Sequence, residues 1–170
     1  MNSFTSRFIG ELACSPYTCH KVRVIGLSGD SSDFSPQPVM HPSIVEKIIK
    51  TASSYGIQKK DIVFDTLTMT VSANSDSPNV TLGSLKYIKD VLGCHTSLGV
   101  SNVSFGLPNR DVINSTFFAM ALENGLSAAI MNPYSTEMLK AYHAYLALSG
   151  KDENCASYVN FATALPVAVS

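Results

Sequence analysis

Four times in succession, a short apolar run ends in a polar residue and gives way, after a loop, to a segment whose apolar residues recur at helical spacing. Val22 to Leu27 is the first run and ends at Ser28-Gly29-Asp30. Ile62-Val63-Phe64 ends at Asp65, Leu98 to Asn102 reads as the third strand, and Ser127 to Met131 ends at Asn132-Pro133. Strand-helix units in a row imply parallel strands, with right-handed crossovers that place the helices outside the sheet. Ligands in such folds sit at the carboxyl ends of the strands. Asp30, Asp65, Asn102 and Asn132 are therefore expected to face one mouth.

The helical segments carry their own punctuation. Ser43-Ile44-Val45-Glu46 has the form of a capping box, Ile44, Val45, Ile48, Ile49 and Ala52 make one apolar stripe, and Gly56 ends it. Ser77-Pro78 opens a second helix with Leu82, Leu85, Ile88, Val91 and Leu92 at helical spacing before Gly93. A third runs from about Asp111 to Asn124 and stops at Gly125. Ser135 caps a fourth, whose buried face is read as Met138, Leu139, Tyr142, Tyr145 and Leu146, and a short last helix is placed at Asp152 to Phe161. Residues 1–20 have no period and read as an irregular lead-in, 21–162 as the domain and 163–170 as a tail. A closed parallel barrel takes about eight strands and about 250 residues. The chain of 170 residues supplies four units, so it reads as part of a barrel, as a half that pairs with another half, or as a small open sheet.

Composition narrows the partners. With 45% hydrophobic and 15% charged residues, the chain can bury a substantial core. Its net charge of −1 and its scattered Lys and Arg do not suit a phosphate backbone, so no nucleic-acid partner is expected. No apolar run approaches the roughly 18 residues of a membrane span, and Met1 to His20 lacks the pattern of a signal peptide. The expected compartment is the cytoplasm, with no membrane partner. Cys14, Cys19 and His20 are spaced too loosely to predict a metal site, and Cys94 and Cys155 read as small packed hydrophobes.

One stretch is specific enough to name a family. Gly99-Val100-Ser101-Asn102-Val103-Ser104-Phe105-Gly106-Leu107-Pro108, followed by Asn114 and by Gly125-Leu126-Ser127-Ala128-Ala129-Ile130-Met131-Asn132-Pro133, resembles the pterin-binding domain of the methyltetrahydrofolate methyltransferases. These include the folate domain of cobalamin-dependent methionine synthase and the methyltransferase that serves the corrinoid iron-sulfur protein. Asp61-Ile62-Val63-Phe64-Asp65-Thr66-Leu67 is similar to that family's strand carrying a pterin-binding aspartate. The resemblance implies an α/β fold, a partial TIM (β/α)8 barrel whose four successive βα units correspond to strands five to eight. It further implies transfer of the methyl group of 5-methyltetrahydrofolate to the cobalt of a cobalamin carried by a corrinoid protein or cobalamin-binding domain, in one-carbon or methionine metabolism.

By the same resemblance, Asp65 matches the carboxylate that receives the pterin ring's donor pair, and Asn102 the residue near the pterin N5, where its carbonyl favours the protonated amine. Ser104 is a candidate pocket-lining residue and Arg110 a candidate contact to the folate tail or the partner. Each also has a local reading. Asp65, Asp30 and Asn132 suit turns, Asn102 and Ser104 can bond nearby backbone, and Arg110 can be a solvated charge. His41, His95 and His143 are read as structural. Two alternatives stay open: a non-catalytic half-barrel that covers its sheet edges by self-association, and a pterin enzyme like dihydropteroate synthase. Against the latter, Ala128 to Pro133 lacks the basic residue that those synthases carry on the last strand.

Overall fold

The computed structural model describes residues 24–27 and 42–165. Asp30, His41 and the lead-in with Cys14, Cys19 and His20 lie outside the described residues. Strand β1 (Val24–Leu27) is followed by α1 (Pro42–Ser54), β2 (Ile62–Asp65), α2 (Ser77–Lys86), β3 (His95–Gly99), α3 (Arg110–Glu123), β4 (Ala128–Ile130), α4 (Thr136–Leu148) and α5 (Ala156–Ala164). The strands form one parallel sheet in the order β1-β2-β3-β4. Leu27 lies opposite Asp65, Asp65 opposite Ser97, and Ser97 opposite Ala128. No helix among the described residues is long and apolar enough to cross a membrane.

The helices cover one face of this sheet. Val45, Ile48 and Ala52 of α1 bury Ile62 and Phe64 together with Ile88 and Cys94. Leu82 and Leu85 of α2, Phe117 and Phe118 of α3, and Met138 of α4 bury Leu98. Strand alternation therefore turns Val63, Asp65 and Ser97 to the other face. Burial pushes the Cys94 thiol up, against a smaller downward pull from Lys59, so it packs as a neutral group.

Several elements depart from the sequence expectation. The first helix begins at Pro42, which puts Ser43 inside its first turn instead of at its cap. The apolar stripe holds through Leu82 and Leu85 of α2 and the buried Ile88, but after Lys86 the chain passes into a π-helical turn over Tyr87–Val91, which includes Ile88 and in which Leu92 N–H donates to Tyr87 O at 3.3 Å. The extra residue rotates Val91 into solvent, where it is 66% exposed. β3 begins at His95 and ends at Gly99, and Val100–Ser104 forms a 3-10 turn in place of the expected strand end. Val100 and Val103 are both buried, at the spacing of three that suits a 3-10 turn. In α4, the Ser135 cap is present, with Met138 N–H donating to its Oγ at 3.5 Å. Of the expected apolar face of α4, Met138 is buried, Leu139, Tyr145 and Leu146 are half-buried, and Tyr142 is exposed and stacks on Phe118. All three residues of β4 are exposed.

One glycine fixes how α3 returns to the sheet. Gly125 adopts φ 94°, and a Cβ there would lie 2.6 Å from Lys89 Cβ at the base of its side chain. Its carbonyl accepts the buried Thr96 hydroxyl at 2.8 Å, and Ser127 N–H donates to that same hydroxyl at 3.0 Å. Gly125→Ala is expected to destabilise the chain by about 1–3 kcal/mol through strain and overpacking. Urea unfolding measures the loss, and an unchanged midpoint would contradict this packing.

Candidate functional site

Asp65 closes β2 at the carboxyl end of the sheet and is only 8% exposed. Its Oδ1 accepts Leu67 N–H at 2.9 Å, and its Oδ2 accepts the Ser97 hydroxyl at 3.3 Å. Leu67 follows in left-handed backbone, φ 54°, so the chain bends away directly after the carboxylate. Next to it, Thr66 and Thr68 are buried with hydroxyls that have no hydrogen-bond partner among the described residues.

Asn102 stands on the 3-10 turn that leaves the neighbouring strand. It is exposed, and its amide packs against the bare Cα of Gly99, where a Cβ would sit 3.1 Å from Asn102 Nδ2. The turn is held from two sides. From the loop after β2, Val71 N–H donates to Val103 O at 2.9 Å, and the Thr70 and Ser72 hydroxyls donate to Phe105 O at 2.8 Å and 3.2 Å. From α3, Arg110 Nη2 donates to Ser101 O at 2.7 Å and Arg110 Nε to Ser104 Oγ at 2.9 Å. The fully buried Ser104 hydroxyl in turn donates to Asn114 Oδ1 at 2.7 Å.

The structure thus brings Asp65 and Asn102 to adjacent strand ends and ties Ser104 and Arg110 to the Asn102 turn. Asn132 lies beyond the edge strand β4, exposed, with Oδ1 accepting Tyr134 N–H at 3.0 Å in an Asx turn. His143 is remote from the mouth: its Nδ1 pairs with Ser157 Oγ at 3.0 Å and its ring stacks on Phe161. No group of three or more His, Cys, Asp or Glu among the described residues is placed to hold a metal. Ser97, Thr70 and Ser72 escaped the sequence reading. Ser97 becomes legible only once β3 is started at His95, because alternation then puts it beside Asp65. Chemically, the arrangement offers a buried carboxylate acceptor and, at the next strand end, an amide that no described residue uses.

Comparison with known proteins bears on the same stretch. Residues 40–132 match the family model described as pterin binding enzyme. Over 125 residues the chain is 30% identical to a methylcorrinoid:tetrahydrofolate methyltransferase of Eubacterium limosum, covering 69% of this chain and 46% of that protein. Over 121 residues it is 30% identical to a methionine synthase of Mycobacterium tuberculosis, covering 66% of this chain and 10% of that one. The methionine synthase of Mycobacterium leprae is 31% identical over the same length. The chain therefore spans less than half the length of these relatives.

Removing the Ser104 hydroxyl strands the Asn114 carbonyl in the core and leaves Arg110 Nε without its partner. Ser104→Ala should lower stability by about 1–3 kcal/mol in urea unfolding. A loss within error of zero would mean that the buried bond carries no weight.

Proposed function

The chain belongs to the family of pterin-binding enzymes and matches the pterin-binding domain of the methyltetrahydrofolate methyltransferases, and on that footing we propose that it serves methyl transfer between 5-methyltetrahydrofolate and a corrinoid. In this reading its four βα units are strands five to eight of a (β/α)8 barrel. The observation that carries it is the Asp65 carboxylate, buried at a strand end with each oxygen already oriented by a protein donor. A buried carboxylate is costly unless its lone pairs are satisfied. A carboxylate presents two acceptor oxygens side by side, the complement of the amino group and adjacent N–H of a pterin, which form a parallel donor pair.

Asn102 acts at the other end of the ring. A tertiary amine leaves well only when protonated, since the neutral amine is a better leaving group than an amide anion. The Asn102 carbonyl accepts a hydrogen bond from that protonated N5 and so favours the reactive state. The amide holds the proton and does not supply it. The corrinoid, carried by a partner protein or domain as substrate, supplies the cobalt that exchanges the methyl group. The Eubacterium limosum relative is named for the opposite direction of transfer. Microscopic reversibility lets one pocket serve both, with Asn102 stabilising the same protonated state. On this reading the chain works in one-carbon or methionine metabolism.

The exposed edge strand β4 favours a second reading, a non-catalytic half-barrel that covers that edge by associating with another copy. Calorimetric titration with 5-methyltetrahydrofolate separates the two. Saturable binding is expected for the wild-type chain. Asp65→Asn should weaken it about 10- to 100-fold, because an amide turns a donor toward the pterin's donors, and Asn102→Ala about tenfold. A folded chain that sediments as an oligomer and takes up no folate would leave the second reading in place.

A further inference from the structure

Arg110 stands in the first turn of α3, where the unpaired N–H groups already make the helix end positive and a cation is least favoured. Asn109 before it is in left-handed backbone, φ 50°, and its side chain caps nothing. The Arg110 guanidinium folds back onto the Val100–Ser104 turn and bonds to two acceptors that flank Asn102: the Ser101 carbonyl, one residue before it, and the Ser104 hydroxyl, two residues after it. Ser104 passes the constraint into the core through Asn114. Phe105, next in the chain, has its ring 6.0 Å from the guanidinium carbon. The loop after β2 grips the far side of the turn through Val71, Thr70 and Ser72. Asn102 is the exposed centre of this clamp, and its backbone oxygen accepts Phe105 N–H at 3.2 Å. Its side-chain amide has no bond to any described residue. Clamped flanks with an unengaged polar group between them keep that group aimed without consuming it.

We propose that Arg110 is a positioning residue: through Ser101 and Ser104 it fixes the turn that presents Asn102, and it does not touch the ligand. The inference rests on the reading of Asn102 as a folate-facing amide. The planar fork of a guanidinium can hold a carbonyl and a hydroxyl at a set spacing, whereas a lysine keeps the charge but not the fork. Arg110→Lys is therefore the informative change.

Calorimetric titration of the 170-residue chain with 5-methyltetrahydrofolate, in wild type, Arg110→Lys, Asn102→Ala and the double variant, reads the coupling. Each single change is expected to weaken binding about tenfold, and the double variant no further than Asn102→Ala alone, because nothing is then left to position. Losses that multiply to about a hundredfold mean that Arg110 meets the ligand directly, and they overturn the proposal. Wild-type affinity in Arg110→Lys overturns it too. Hydrogen exchange at Phe105 N–H tests the clamp independently of folate: exchange there should speed up in Arg110→Lys while Phe117 and Phe118 in α3 exchange as in wild type. Unchanged exchange at Phe105, or faster exchange along all of α3, overturns the proposal. A wild-type chain that binds no folate while Phe105 still responds defeats the folate reading and supports the clamp.

Discussion

Everything at the mouth depends on four strands that pair in parallel and in the order in which they occur. Crossovers of one hand then send the helices to a single face, and burial follows: Ile62, Phe64 and Leu98 lie at 0% exposure beneath them. The opposite face of the same strands carries Asp65 and Ser97. A carboxylate among the apolar side chains under α1 would be costly without partners. One step along the strand, it finds a hydroxyl from the neighbouring strand and a backbone N–H from its own turn. The pairing order thus decides both where the core forms and where a buried charge is tolerated.

Features encoded by short-range chemistry were legible in the sequence. Val45, Ile48 and Ala52 form the buried stripe that their spacing indicates, Ser135 caps α4, and Gly125 stops α3 in a backbone conformation that few other residues adopt. The parallel α/β plan could be read because each unit repeats the same signals. Features set by packing between distant segments were not legible. Nothing in Tyr87 to Val91 announces a π-helical turn. Arg110 reads as a surface charge because its two acceptors belong to a turn whose geometry has no sequence signature. Ala128-Ala129-Ile130 reads as part of an apolar fourth strand, although the exposure of all three residues is a property of the sheet edge and not of the residues themselves.

The third strand shows how such a misreading bears on function. Leu98, Gly99 and Val100 look like the middle of a strand, and continued period-two alternation would put Asn102 on the same face as Leu98, beneath α2 and α3. An amide there would need partners in an apolar core. The chain instead leaves strand geometry at Gly99, where a missing Cβ lets the Asn102 amide close in, and winds into a 3-10 turn. In that winding Val100 and Val103 take the buried positions and Asn102 is released to the surface. Two valines at a spacing of three therefore anchor the turn from below, while Arg110 and Thr70 hold its flanks from either side. The departure from the strand is what makes Asn102 available at all.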